Sequence, residues 1–139
     1  MKSFLNPLFR ARDTEHVLEN TRTGEVVADH LLRAFDSAER RQGLLGRESL
    51  AEGSAIIIAP CSAVHTFFMR FAIDVAFVAR DGKVIKVRSA VRPWRLAAAL
   101  GAFAVVELAA GGLARSRTES GDVLICRPTR PPNDRSTRS

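Results

Sequence analysis

Short runs of apolar residues, separated by breaks that contain glycine, proline or aspartate, dominate the middle of the chain. In residues 71–79 the large apolar side chains fall at every second position, the spacing that places them on one face of a β-strand. Residues 55–59 form an uninterrupted run that is rich in isoleucine and ends before Pro60, which is typical of a buried strand. These patterns predict a sheet of short strands.

A tight-turn sequence joins two of these strands. Residues 80–83 read Arg-Asp-Gly-Lys, and Asp-Gly favours a two-residue hairpin turn because both residues tolerate positive φ. The return strand, residues 85–91, is expected to place its apolar residues on one face and Lys86, Arg88 and Arg92 on the other. Further strands are predicted at residues 16–20, 25–29, 31–34, 64–69, 103–109 and 123–126.

One helix is indicated clearly. Asp36 is a suitable N-cap, and Glu39 stands three residues later, the spacing of a capping box. We expect the helix to run for two or three turns and to end at Gly46, where a left-handed C-cap belongs. Residues 96–100 and 113–117 are expected to form helical turns or, for the first of these, an apolar loop.

The predicted fold class is therefore α+β and β-rich. We expect a curled antiparallel sheet or a partly open barrel of about seven or eight short strands with one short helix. Residues 1–13 are predicted to be a loose basic lead-in, and residues 14–126 a single β-rich domain. Residues 127–139 combine arginine and proline without a large apolar side chain, so this tail is predicted to be disordered.

Composition agrees with one globular domain. The 139 residues are 46% hydrophobic and 26% charged, which excludes wholesale disorder. Two cysteines, Cys61 and Cys126, cannot form a disulfide scaffold, and we expect both to be reduced. The first 12 residues hold no apolar run of signal-peptide length, and the longest uncharged apolar stretch, residues 96–106, is too short to span a bilayer. The expected location is cytoplasmic.

Positive charge is concentrated in the second half of the chain. The net charge is +6, and residues 70–139 hold 13 basic and 6 acidic side chains. Basic residues beside an aromatic ring can follow a nucleic-acid backbone, bind an anionic ligand, or simply keep a strand edge in solvent. Aromatic residues make up only 6% of the chain, which argues against nucleic acid. The basic stripe consists of Lys83, Lys86, Arg88, Arg92 and Arg95, with Trp94 beside it.

Two carboxylates interrupt apolar strand sequence. Asp74 and Glu107 each lie in a predicted strand, and a carboxylate there must be paired or have a raised pKa. With His65 they could form a metal site or an acid–base pair. The alternative is that each carboxylate accepts backbone hydrogen bonds or pairs with an arginine. Arginines considered for that pairing are Arg47, Arg70 and Arg95.

A second candidate site contains cysteine. Cys61 and His65 have the spacing C-x-x-x-H, and a thiolate next to an imidazole can be nucleophilic. Adding Cys126 would make a two-cysteine, one-histidine metal set. No C-x-x-C pair is present, so this is the weaker of the two interpretations.

Motifs for several large enzyme classes are absent. The sequence contains no G-x-x-x-x-G-K-[ST], G-x-G-x-x-G, G-x-S-x-G or H-E-x-x-H. Nucleotide hydrolysis, dinucleotide redox chemistry, serine hydrolysis and zincin chemistry therefore lack their usual signatures.

Several segments in order resemble a known family. They are RRQGLLGR (40–47), VHTFFMRFAIDVAFVARDGKVIKV (64–87), RPWR (92–95) and VVELAAG with SGDVL (105–124). Together they resemble the domain of unknown function 192 family, over about residues 27–125. The resemblance implies a small β-rich prokaryotic domain, often behind a secretion signal, whose biochemical role is not established.

Particular residues match the family pattern, and others depart from it. This chain has Phe68 and Ala72 where related sequences often show Gly and Pro, and we expect it not to carry the secretion signal of many relatives. The matching residues are Gly43, Gly46, Arg47, His65, Thr66, Met69, Arg70, Ile73, Asp74, Asp81, Gly82, Pro93, Glu107, Gly111, Gly121 and Asp122.

These observations favour a non-enzymatic binding or accessory domain. We expect it to recognise a small anionic ligand or a protein partner through Arg70, Trp94 and Arg95, close to His65. The alternative is an enzyme or metal site built on His65, Asp74 and Glu107, and a weaker alternative is nucleic-acid binding by the basic stripe. No cofactor and no metal are assigned, and no membrane span is expected.

Overall fold

The computed structural model describes residues 3–10 and 14–129. Within these residues the chain forms ten strands and three short helices, so the predicted β-rich α+β class is confirmed. The elements are α1 (Asn6–Arg10), β1 (His16–Asn20), β2 (Val26–Ala28), β3 (His30–Ala34), α2 (Ser37–Gln42), β4 (Ser54–Ile58), β5 (Ala63–His65), β6 (Ile73–Val78), β7 (Val84–Val91), β8 (Leu96–Ala98), β9 (Ala104–Ala109), α3 (Gly112–Arg115) and β10 (Leu124–Pro128).

The strands are divided among three sheets, and in the described residues they do not close into a barrel. The largest sheet has five strands in the order β3-β4-β9-β6-β7, the second has the order β10-β1-β2, and the third is the pair β5-β8. Our expectation of seven or eight strands was too low because several three-residue strands carry almost no periodic signal. No helix in the described part of the chain has the length and apolar character needed to cross a membrane.

The five-stranded sheet is not wholly antiparallel. β3 and β4 pair in parallel, whereas β4–β9, β9–β6 and β6–β7 are antiparallel. The chain between β3 and β4 contains α2, and a helical crossover of this length returns the next strand in the same direction. The prediction of purely antiparallel pairing was therefore wrong at this edge.

The centre of this sheet is buried on both faces. Every residue of β4 and of β6 is buried. One face carries Val106 and Leu108 within the first hydrophobic cluster, and the other carries Val75 and Phe77 within the second. Strands buried on both sides read as continuous apolar runs, which explains the isoleucine run of β4.

The N-terminal segment contributes to the first cluster. Leu5 and Leu8 are fully buried, and the Phe4 amide donates to the Arg80 carbonyl oxygen over 2.9 Å. The prediction of a loose lead-in is wrong for residues 3–10, because a helix of five residues is too short to show a periodic pattern. Residues 1–2 and 11–13 lie outside the described residues.

The C-terminal strand runs past the predicted domain boundary. β10 ends at Pro128, and its residues pair with β1, with His16 opposite Pro128. The predicted boundary at residue 126 was therefore two residues short. Residues 130–139, which form most of the predicted disordered tail, lie outside the described residues.

The helix prediction holds at its start and fails at its end. The Glu39 amide donates to Asp36 Oδ1 over 2.7 Å and the Asp36 amide donates to Glu39 Oε1 over 3.3 Å, so the capping box is present. The helix ends at Gly43, whose φ is 47°. Gly46 also has positive φ but lies beyond the helix.

The hairpin between β6 and β7 is present, but two irregularities change which side chains share a face. The register shifts between Ile73 and Val75 and again between Phe77 and Val78. As a result Lys86 lies opposite Phe77 and Arg88 opposite Val75, on the side of the second cluster. The expected separation of apolar and basic faces on β7 was wrong because each bulge reverses the alternation.

The hairpin turn gives the first prediction. Gly82 has φ of 95°, and a Cβ added there would clash with the Leu124 carbonyl oxygen and lie 3.2 Å from Phe4 Cβ. Gly82→Ala is expected to lower the free energy of unfolding by at least about 2 kcal/mol, from strain and overpacking together. Gly24→Ala is the control, because Gly24 has φ of 71° with nothing within 4 Å of an added Cβ.

Gly24→Ala should cost only about 1 kcal/mol, the backbone contribution alone. Urea unfolding of both variants measures the difference. Equal losses at the two positions would contradict the close approach of Gly82 to β10.

Candidate functional site

Asp74 has a structural role. Its Oδ1 accepts a hydrogen bond from the Ala90 amide over 2.8 Å, and its Oδ2 accepts from the Gly111 and Leu113 amides over 3.0 Å each. The side chain is buried. Three donors occupy this carboxylate, which ties the bulged part of β7 and the start of α3 to the neighbouring strand β6.

The sheet separates Asp74 from Glu107. In the β6–β9 pairing Val75 lies opposite Glu107 and Asp74 opposite Leu108. Directly paired residues share a face, and successive residues alternate, so the two carboxylates point to opposite sides. The set of His65, Asp74 and Glu107 that the sequence suggested is not brought together.

Glu107 lies on the floor of a cavity on the second-cluster side of the sheet. It is 5% exposed, and no hydrogen bond to its carboxyl group forms within residues 3–10 and 14–129. Desolvation by burial raises the pKa of Glu107 to about 7. Its carboxyl group is therefore a titratable group near neutral pH that faces an open space.

The cavity has a volume of about 160 Å³, and it lies between the sheet, the end of α2 and the segment that leads into β5. His65, one of the candidate residues from the sequence, also lines the cavity, and it is exposed to solvent. Apart from Gln42 and Cys61, the remaining lining residues are apolar or basic. The residues that line it beside Glu107 and His65 include Arg40, Arg41, Leu44, Ile58, Cys61 and Met69.

Cys61 lines the same cavity but is not activated as a nucleophile. Burial raises the pKa of its thiol, and its Sγ donates to the Ala63 carbonyl oxygen over 3.1 Å. A nucleophilic cysteine needs a lowered pKa, so the geometry does not favour the predicted thiolate–imidazole pair.

Cys126 takes no part in this cavity. It is buried in the first hydrophobic cluster, on the opposite side of the sheet, and burial raises its pKa to about 12. The suggested set of Cys61, His65 and Cys126 is not assembled. Within residues 3–10 and 14–129, no three histidine, cysteine or acidic side chains are grouped as metal ligands would be.

A row of aromatic rings lies next to His65. The His65 and Phe67 ring centroids are 5.1 Å apart, Phe67 stacks on Trp94 at 5.7 Å, and Phe68 meets Trp94 edge-on at 4.7 Å. We call Phe67, Phe68 and Trp94 the aromatic shelf. Phe68 is 71% exposed and Trp94 56% exposed, so two of the three rings face solvent.

Both exposed rings are attached to unusual backbone. Phe68 has φ of 64° and Trp94 has φ of 65°, in the left-handed region that bulky residues rarely adopt. Each such residue costs of order 1–3 kcal/mol and persists only where its surroundings impose the conformation.

Thr66 imposes it. This buried residue donates from Oγ1 to the Arg92 carbonyl oxygen over 2.6 Å and accepts from the Arg95 amide over 2.8 Å. Its own carbonyl oxygen accepts from the amides of Met69 and Trp94. Thr66 therefore joins the two loops that carry the shelf, and it also ends the strand predicted for residues 64–69.

Sequence reasoning missed Thr66, Phe67 and Phe68 as site residues. The available signal was the pair of adjacent phenylalanines after His-Thr, which read as strand sequence. Residues 96–98, expected as a helical turn or loop, form β8 and pair with β5. This pairing places Trp94 against Phe67 and Phe68, with Arg95 next to it in the chain.

The predicted cationic residues divide into two groups. Lys86 is half-buried and donates to the Ala98 carbonyl oxygen over 2.9 Å, so it covers the sheet, whereas Arg88 on the same strand is exposed. Arg70, Arg92 and Arg95 are exposed and lie on the two loops of the shelf. Arg70 forms an exposed ion pair with Glu48 at 3.4 Å.

Fold and site together define a small β-rich α+β domain with one carboxyl-floored cavity and an exposed aromatic surface beside it. The model of the DUF192 family, described as an uncharacterised ACR, matches residues 18–126. The chain belongs to this family, as the sequence resemblance predicted. No curated protein sequence matches the chain.

Two solved structures share the fold. A protein of unknown function from Novosphingobium aromaticivorans DSM 12444 is 24% identical, with a TM-score of 0.68 over 79% of this chain and 82% of that one. A "putative transcription regulator" from Sinorhizobium meliloti 1021 is 21% identical, with a TM-score of 0.70 over 83% of this chain and 92% of that one. At these identities the likeness shows the fold alone.

Burial of Glu107 predicts a fall in stability as pH rises. Its pKa is about 7 in the folded chain against an ordinary value of 4.5. Between these values the folded state keeps a proton that the unfolded state releases, so the free energy of unfolding decreases with pH. The decrease should begin near pH 4.5, level off above pH 7, and total about 3 kcal/mol.

Urea unfolding at intervals from pH 5 to pH 8 measures this slope. Glu107→Gln cannot titrate and should remove most of it, whereas Glu119→Gln, at an exposed carboxylate, should leave it unchanged. A slope that survives in Glu107→Gln would show that another group causes it.

Proposed function

We propose that this domain is a non-enzymatic binding module that docks an acidic segment of a protein partner on the aromatic shelf. The observation that supports it most is the display of two aromatic rings, at Phe68 and Trp94, on strained backbone. Each ring is more than half exposed. Burial in the core therefore does not offset the conformational free energy that positive φ costs at either residue. A partner that covers the rings would offset this cost.

The composition of this surface suits a protein partner. Tryptophan and arginine are enriched among the residues that contribute most to protein–protein binding, and exposed apolar patches with a polar rim mark interaction sites. Small-molecule sites are concave, whereas the rings of Phe68 and Trp94 project outward. The shelf therefore favours a protein segment over a small anion.

The charge of the surroundings favours an acidic segment. Arg70, Arg92 and Arg95 are exposed on the two loops, and Glu48 is the acidic residue that pairs with this group. The Arg95 guanidinium donates to the Trp94 carbonyl oxygen over 3.3 Å, which holds it close to the shelf. Cations that border an apolar surface attract and orient carboxylate-rich partners.

The two alternatives have less support. An enzyme built on His65, Asp74 and Glu107 would need side chains that the sheet holds apart, and Asp74 already accepts three hydrogen bonds. Nucleic-acid binding would use the basic stripe, but half-buried Lys86 uses a donor on the Ala98 carbonyl oxygen, and aromatic residues that could stack on bases make up only 6% of the chain. The description of the Sinorhizobium meliloti structure adds nothing here, since its identity to this chain is 21%.

Selection from a display library of random 12-residue peptides tests the docking proposal. Wild-type protein should enrich sequences that combine acidic and large apolar residues, and the double variant Phe68→Ala, Trp94→Ala should not. Anisotropy of a labelled enriched peptide should show at least about a tenfold loss of affinity in Phe68→Ala and in Arg95→Ala, equivalent to 1.4 kcal/mol.

Phe9→Ala is the matched control, because Phe9 is an exposed phenylalanine that packs against Phe35 instead of the shelf. It should bind like wild type. Trp94 is the only tryptophan, so its fluorescence reports occupancy of the shelf directly. Failure of wild type to enrich acidic sequences, or equal enrichment by the double variant, would refute the proposal.

Strain at Phe68 gives a separate prediction about stability. Phe68→Gly should be more stable than Phe68→Ala by about 1 kcal/mol, because glycine adopts positive φ without a steric cost. Both variants should lose peptide binding, so the more stable protein would be inactive.

Leu96 supplies the control for this comparison. It is 70% exposed and is not among the residues with positive φ, so Leu96→Gly should be less stable than Leu96→Ala. Denaturant titration of the four variants measures both differences. If alanine equals or exceeds glycine at residue 68, its backbone carries no strain.

A further inference from the structure

The cavity above Glu107 has the features of a second site, distinct from the shelf. Glu107 is 95% buried, being 5% exposed, and burial alone accounts for the change in its pKa. Its neighbours across the strands are Val75 and Ile56, neither of which has a polar side chain. The carboxyl group therefore has no partner on the sheet and faces the cavity.

Asp74, a buried carboxylate with a structural role in the same sheet, provides a comparison for Glu107. Asp74 lies one register position away on the neighbouring strand, is equally buried, and accepts three backbone hydrogen bonds. Buried carboxyl groups without partners destabilise a fold. Of these two buried carboxylates, Glu107 is the one that accepts no hydrogen bond from the described residues, and it is also the one that lines a cavity.

Positive charge borders the same cavity. Arg40 and Arg41 line it from the end of α2. Arg40 donates to the Phe35 carbonyl oxygen over 2.8 Å and to Ser37 Oγ over 3.4 Å, and Arg41 donates from Nε to the Ser37 carbonyl oxygen over 3.3 Å, which holds both side chains in place. A guanidinium has five donors, so each arginine keeps donors that these bonds do not use.

We propose that this cavity binds a small zwitterion, with its ammonium group on Glu107 and its carboxylate on Arg40 and Arg41. A simple cation would meet the two arginines, and a simple anion would meet Glu107, whereas a zwitterion satisfies both charges. Its size is limited, because a cavity of roughly 150 Å³ holds one benzene-sized molecule and this one measures about 160 Å³.

Calorimetric titration with three zwitterions of increasing charge separation, glycine, β-alanine and 4-aminobutyrate, tests this inference. At least one should bind at least about tenfold more tightly than butylamine and butyrate, which carry one charge each. Glu107→Gln and Arg40→Gln should each weaken that binding by at least about tenfold. Glu119→Gln, at an exposed carboxylate, should leave it unchanged.

The pH dependence of binding distinguishes the groups that face the cavity. An ammonium group prefers ionised Glu107, so affinity should rise with pH up to about 7 and then level off. His65 and Cys61 also line the cavity. The rise should therefore persist in His65→Ala and in Cys61→Ser, and it should disappear in Glu107→Gln.

Two further variants keep the test decisive. Ala63 is exposed and lines the cavity, so Ala63→Phe should block entry without altering Glu107. Trp94→Ala, which removes one exposed ring of the shelf, should bind the zwitterion normally, so failure of the shelf proposal and failure of this one are separable. Equal affinity for the zwitterions and the singly charged compounds, or unchanged binding in both Glu107→Gln and Ala63→Phe, would overturn the inference.

Discussion

The carboxylate of Asp74 is the interaction on which the rest of the structure depends. It accepts hydrogen bonds from Ala90 on β7 and from Gly111 and Leu113 at the start of α3. Ala90 has φ of 51°, so one of these bonds is made to irregular backbone that a regular ladder would not satisfy. Because backbone amides buried without a partner are costly, the position of this one side chain holds the sheet edge and the following helix together.

The hydrogen bonds of Asp74 also bear on which buried carboxylate is open to a ligand. Asp74 accepts three hydrogen bonds on one face, whereas Glu107, on the other face, accepts none from the part of the chain that the structure describes and lies at a cavity lined by Arg40 and Arg41. Two carboxylates on neighbouring strands thus differ in role, since one is structural and the other is the group that we propose binds a ligand. The difference comes from the donors around each group and not from the residue type, as is usual for buried acids.

The aromatic shelf depends on a different buried residue. Thr66 bonds to both loops, and its bonds keep Phe68 and Trp94 on left-handed backbone with their rings in solvent. Strain of this kind is retained where the surrounding structure imposes it. The shelf and the cavity meet at His65, so the two proposed sites are adjacent while they rest on separate supports.

Local sequence patterns were sufficient to predict several features. These are the family, the β-rich class, the capping box of α2, the β6–β7 hairpin, and the two carboxylates within apolar strands. These features depend on neighbours within a few residues, where patterns and turn preferences act directly. Tertiary structure alone decided the β1–β10 and parallel β3–β4 pairings, the burial of Leu5 and Leu8, and the bulges of β7. It also decided that Asp74 and Glu107 face opposite ways, because strand register links residues more than 30 positions apart, and a shift of one residue exchanges the faces.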